Sequence, residues 1–246
     1  MAASGPGPVF QSQDIPGEPK KTSTVVLEKT AGLLQSFKPI ASIHAHLCAF
    51  HFYAYDLGRQ VEAHHFCTHM SEDVHQCLIF DTPKKDARLI GIEYIVTEKV
   101  FLSLPEDEKR LWHSHEYEVK SGVLFMPGLP SVAEKAQMKH LAKTYGKVFH
   151  FWQIDKGDTI PLGLPQLMMA LTADGQLNPQ LGKDVEERFH ISFAENRKQR
   201  ADLEGPDKGI HPSANPWLQG KGLVPEVLEV ECVRNAADSS QTSSEL

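Results

Sequence analysis

Between Leu104 and Gly128 (LPEDEKRLWHSHEYEVKSGVLFMPG) the chain changes period, which dictates where helix gives way to strand. Pro105 suits the first turn of a helix, where its missing N–H costs nothing, and Glu106, Asp107 and Glu108 favour the positive helix end. From His113 to Val119 the pattern reads as extended. Alternate side chains on a strand share a face, so His113, His115 and Tyr117 are expected to point together, with Glu116 and Glu118 opposite. An H-x-H pair on a strand can present two imidazoles to one metal ion. The plainer reading is two histidines at a helix-to-strand junction, hydrogen-bonded to backbone or carboxylates. Further imidazoles are at hand, because seven of the thirteen histidines lie between residues 44 and 75. His65 and His69 have the i, i+4 spacing of helical ligands. The candidate metal ligands are therefore His113, His115, His65 and His69. Phe66, Cys67 and Thr68 stand between the last two, so no carboxylate serves as the base of an H-E-x-x-H protease.

The 246 residues carry 41% hydrophobic side chains, enough to bury one large core. A formal charge of −7, with no basic cluster, argues against nucleic-acid binding. No apolar run approaches the ~18 residues of a spanning helix. Contact with lipid would then mean lying on a surface or being held there by a partner. Cys48, Cys67, Cys77 and Cys232 form no C-x-x-C pair, and no apolar leader opens the chain, so the four are expected to stay reduced in the cytosol.

The expected architecture is α+β: a single compact domain over 23–233 with a mixed or antiparallel sheet and flanking helices. A Pro/Gly-rich segment (1–22) and a polar tail (234–246) are expected to be disordered. Residues 24–37 carry an apolar helical stripe (Leu27, Ala31, Leu34), expected to pack on the domain, with contact to a lipid surface as the alternative. Residues 40–55 read as helix. Strands are expected at 74–80, 89–96, 122–126, 147–154 and 164–175, and a half-buried final strand at 226–233. A helix over 131–145 should start with a Ser131–Glu134 capping box and stop at Gly146. Another, over 178–190, should be capped by Asn178. Residues 191–222 read as a long meander anchored by Trp217.

Several blocks of this chain resemble the plant oil body-associated protein family: GRQVEAHHFCTH (58–69), LIGIEYIVTEKVFLSLPEDEKRLWHSHEYEVKSG (89–122), FMPGLP (125–130), KTYGKVFHFWQ (143–153) and GDTIPLGLPQLMMALTADGQ (157–176). The resemblance spans roughly residues 22–233, with the blocks in the right order. It implies an accessory protein of seed oil bodies that helps maintain their size and integrity. That protein would act from the lipid-droplet surface, alone or through coat proteins, with a cytoplasmic pool and no transmembrane anchor. The resemblance assigns no catalytic residue, and no complete catalytic constellation is visible, so an enzyme and a cofactor are not expected. The competing reading is a metal-binding enzyme or sensor. His113-x-His115 followed by Glu118 resembles the first cupin motif, but only two residues intervene and Asp107 stands where that motif has glycine.

Overall fold

The computed structural model describes residues 15–232. The expected disorder of residues 1–14 and 234–246 lies outside the described residues. Two helices come first, α1 (Thr22–Leu34) and α2 (Lys38–Ala41), followed by strands β1 (Ala45–Tyr53), β2 (Asp56–His69), β3 (Val74–Phe80) and β4 (Leu89–Thr97). An insertion carries α3 (Glu98–Leu102), α4 (Glu106–Lys109), β5 (His113–Ser114), α5 (Glu116–Ser121) and α6 (Ser131–Leu141). The chain returns through β6 (Thr144–His150) and β7 (Gln166–Ala170), then α7 (Pro179–Phe189) and α8 (Phe193–Gln199).

All strand pairings are antiparallel, in the order β4-β3-β2-β1-β7-β6, and β4 also pairs with β6. The sheet therefore closes into a six-stranded barrel inside an α+β domain. Closure removes most of the unpaired edge, and a barrel this narrow is filled by its own side chains. One seam is incomplete. β7 spans five residues against nine in β1, and it pairs only with residues 51–53 of that strand. Above it, β5 pairs with Tyr145 and Gly146, and Phe125 forms a bridge to Cys48. The segment 113–125 thus finishes the wall where β7 stops.

Strands β1 (Ala45–Tyr53) and β2 (Asp56–His69) correct the helical readings of residues 40–55 and of the His65–His69 spacing. In β1, Leu47, Ala49, His51 and Tyr53 alternate with Cys48, Phe50 and Phe52, and all seven are buried. The outer set packs with Val185 of α7, Phe193 of α8 and Trp217, whose ring stands edge-on 4.9 Å from that of Phe52. A strand covered on both faces shows no polar alternation, so its periodicity does not announce it.

Other expectations are revised for local reasons. Ser131 lies inside α6 with Pro130 before it, and Glu134 accepts from the Met126 N–H and pairs with the buried Arg200 instead of closing a capping box. The inward side of α6 is Glu134, Met138 and Leu141. Gly146 does not stop that helix and sits inside β6. Asn178 does cap α7, accepting from the N–H groups of Gln180 and Leu181. Residues 226–232 form no strand, and Leu228 and Val230 are exposed, so alternation there lacks a sheet to join. α1 buries none of its residues: the stripe expected to pack on the domain instead faces outward. Cys67 and Cys77 correct the expectation of four free thiols. They stand opposite one another on β2 and β3 and are disulfide-bonded, while Cys48 and Cys232 are free. Register, which residue spacing does not reveal, brings the two sulfurs together. Among the described residues no helix is long and apolar enough to cross a membrane.

Candidate functional site

The inward positions of the barrel are mostly apolar, but one level of it is not. His51 of β1, His65 of β2, Glu93 of β4 and His150 of β6 all point inside, and the open seam adds His113, His115 and Glu118. All seven are buried.

Glu93 is the hub. Its Oε2 lies 2.9 Å from His65 Nε2, and its Oε1 lies 3.2 Å from His115 Nε2 and 3.4 Å from His113 Nε2. The His65 ring continues the network: its Nε2 is 3.3 Å from His51 Nε2, and His51 Nδ1 is 3.0 Å from His150 Nε2. Three imidazoles therefore ring one carboxylate, and two more extend away from it.

Room for this arrangement comes from Gly146. A Cβ there would fall 2.0 Å from Glu93 Oε1 and 2.8 Å from Nε2 of both His113 and His115. In β6, where side chains of any size could line the lumen, only the absence of one lets the carboxylate and two rings converge.

Electrostatics follow from burial and from neighbours. Burial alone would raise the Glu93 carboxyl, but the surrounding imidazoles of His113, His115 and His65 outweigh it and hold the group well below the usual carboxylate range. Glu118 has no such company. Burial, with the Glu93 charge second, pushes it well above that range, and its Oε1 has no hydrogen-bond partner. Burial lowers His113 against the pull of Glu93. His51 is held well below its ordinary value by burial and then by His65 and His150. His150 is lowered to about 3, again by burial first and His65 second.

His115 is oriented from outside the cluster. The Thr144 hydroxyl donates to Leu141 O at 2.7 Å, so it accepts from His115 Nδ1 at 2.8 Å. That hydrogen-bond chain assigns the Nδ1–H tautomer to a neutral ring and turns the Nε2 lone pair toward Glu93.

Of the four histidines singled out from the sequence, His113, His115 and His65 meet around Glu93. His113 and His115 face the same way as anticipated, but the expected extended run to Val119 does not form: the strand ends at Ser114, and His115 is the cap of helix α5. Tyr117 does not join them and donates to Asp174 on the surface. His69 lies elsewhere, stacked on His75 with ring centroids 3.9 Å apart and edge-on to His44. The i, i+4 spacing that selected it loses its meaning on a strand, where His65 and His69 share a face but stand more than a dozen ångströms apart, at ~3.3 Å per residue. Glu93, His51 and His150 were missed. A signal existed for each: a single ionisable residue inside an apolar β-branched or aromatic run (LIGIEYIV, AFHFY, KVFHF), on the face that turned out to be inward. Glu118, the carboxylate of the cupin-like spacing, enters the same lumen, but Glu93 is the one that the rings approach.

A cavity of about 10 Å³, room for one water or ion, lies within the cluster. Above it, at the end of the barrel bounded by Ala45, His69, His75, Thr97 and Thr144, opens a cavity of about 860 Å³. Leu47, Ile95 and Leu141 line both, so a thin apolar layer separates the mouth from the cluster.

The domain family described as "Protein of unknown function (DUF1264)" matches residues 37–204, which hold the whole barrel. The chain is 59% identical over 221 residues to oil body-associated protein 1A of Zea mays, covering 90% of this chain and 92% of that one. It is 55% identical over 217 residues to oil body-associated protein 1B of Arabidopsis thaliana (88% and 89%), and 42% identical over 224 residues to oil body-associated protein 2A of Zea mays (90% and 89%). No solved structure matches. Identity at this level over nearly full lengths, together with the domain match across the barrel, leaves one conclusion: this chain belongs to the oil body-associated protein family.

Proposed function

We propose that this protein is a non-enzymatic accessory protein of seed oil bodies that helps maintain their size and integrity from the droplet surface. The relatives' names support the association with oil bodies. The observation that carries a surface role is the N-terminal helix pair. In α1, Leu27, Leu33 and Leu34 are 68%, 87% and 82% exposed, and Phe37 and Ile40 continue the apolar surface into α2. Residues 20–41 carry four lysines and one glutamate, so this segment is basic on a chain of net charge −7. Exposed leucines beside lysines suit shallow contact with a phospholipid monolayer, with each lysine adding about 1 kcal/mol near an anionic surface. A shallow contact is reversible, which leaves a cytoplasmic pool.

Flotation tests the reading. Full-length protein is mixed with phospholipid-coated triacylglycerol droplets and centrifuged through a density gradient. Wild type should rise with the droplets, and Leu27→Asp/Leu34→Asp should leave most of it in the soluble layer. If wild type stays below with bare droplets but rises with isolated oil bodies, a coat protein recruits it. If it rises with neither, the surface role is wrong.

A further inference from the structure

We propose that the barrel interior is a binding site for one divalent first-row transition-metal ion, held by Nε2 of His113, Nε2 of His115 and the Glu93 carboxylate. The inference goes beyond the droplet-surface role and does not depend on it.

Four observations carry it. First, the ligand atoms of Glu93, His113 and His115 all lie within 4.8 Å of one another and are buried. A tetrahedral ion with bonds of about 2.0–2.1 Å keeps its ligand atoms roughly 3.3 Å apart. The two Nε2-to-Oε1 separations, 3.2 and 3.4 Å, fit that spacing. Second, His115 turns a lone pair, not a proton, toward Glu93 when neutral, because Nδ1–H is committed to Thr144. Two electron-rich atoms then face each other across 3.2 Å, and a positive species between them resolves the conflict. An outer hydrogen bond on the far ring nitrogen is the usual support of a metal-bound histidine. Third, His113 has no hydrogen-bond partner at either ring nitrogen, and its Nε2 is aimed at the same carboxylate oxygen; Glu118 Oε1, in the small cavity lined by Glu93 and His115, is likewise buried without a partner. Buried polar atoms are costly to leave unpaired, so a cluster of them marks a place for something that pairs. Fourth, Gly146 removes the one side chain that would fill the space between the three ligands.

His65 takes the other oxygen of Glu93 and fixes the carboxylate plane, so it is a positioning residue for the site. Two imidazoles and one carboxylate, with open positions, favour ions such as Zn(II), Fe(II), Co(II) or Mn(II) over the hard all-oxygen cations. An ion entering from the mouth cavity has only the Leu47–Ile95–Leu141 layer to pass.

The test uses the full chain, stripped with a chelator and dialysed against Zn(II) or Co(II). One ion per chain is expected, with visible Co(II) bands and at least two imidazoles around the ion by X-ray absorption. His113→Gln and His115→Gln should each abolish stoichiometric binding. Thr144→Val, which leaves all ligands in place, should weaken it by about 10–100-fold. His69→Ala/His75→Ala should bind as wild type does. No stoichiometric ion on folded wild type, meaning that a proton alone bridges His115 and Glu93, overturns the proposal. So does binding that disappears only with His69 and His75, or an ion with fewer than two imidazoles. The wild-type results decide the matter even if a ligand variant fails to fold.

Discussion

Replacing Gly146 by alanine adds one methyl group at the most crowded point of the barrel. That carbon would stand 2.0 Å from Glu93 Oε1 and 2.8 Å from two ring nitrogens, where ordinary contact begins near 3.4 Å. The carboxylate must retreat by more than an ångström, and it has nowhere to go without leaving its imidazoles. Overpacking alone costs about 1–3 kcal/mol. Separating a buried charge from its partners costs about 3–5 kcal/mol when complete. Partial relief puts the loss at about 3–4 kcal/mol, a fall in Tm of roughly 10 °C for a domain of this size. Urea unfolding of wild type and Gly146→Ala measures it. Gly128→Ala is the control: nothing lies within 4 Å of a Cβ there, and the left-handed φ of +78° limits the cost to about 1–2 kcal/mol. The same change at 146 in a Glu93→Ala background should cost far less, because the atom it strikes is gone. A Gly146→Ala protein as stable as wild type, or one equally destabilised with and without Glu93, refutes the reasoning.

Two further outcomes follow from the buried groups. His150 titrates near pH 3 in the fold because of burial and His65; His46 is held near 4 by burial and then His64, and His75 near 4 by burial and then His69. In the unfolded chain each takes its proton near pH 6.5. Below that pH the unfolded state binds more protons, so stability should fall as pH drops from 6.5 toward 4. His150 alone contributes a slope of about 1.4 kcal/mol per pH unit, and the half-exposed pair adds less; a urea midpoint that is flat or rises from pH 7 to pH 5 contradicts this. The Cys67–Cys77 bond joins residues ten apart, so reduction or Cys67→Ser/Cys77→Ser should cost about 2–3 kcal/mol, and thiol titration in denaturant should find two free thiols per chain, not four.

How legible each part was depends on the range of the signal. Asn178 and the α7 helix were readable because a cap acts within three residues. The strands expected at 74–80 and 89–96, which form as Val74–Phe80 and Leu89–Thr97, were readable because short apolar runs rich in strand-forming residues need little outside help. β1 was misread because α7 and α8, more than a hundred residues later, cover the face that would otherwise have been polar. α1 was misplaced for the opposite reason: an apolar stripe states that a face avoids water, not that this domain supplies the cover. Gly146 was read as a helix stop because glycine serves both purposes, and only the lumen shows that a missing side chain matters more than a turn.

The amino-acid order by itself determined the family, the α+β composition, the lack of a helix able to span a membrane among the described residues, and the pairing of His113 with His115 on one side, since each rests on neighbours along the chain. The folded barrel alone decided that Glu93 is their partner, that His65 joins them and His69 does not, and that Cys67 meets Cys77. Those are matters of register between strands, and register is set by the closing of the whole sheet rather than by any one stretch of it.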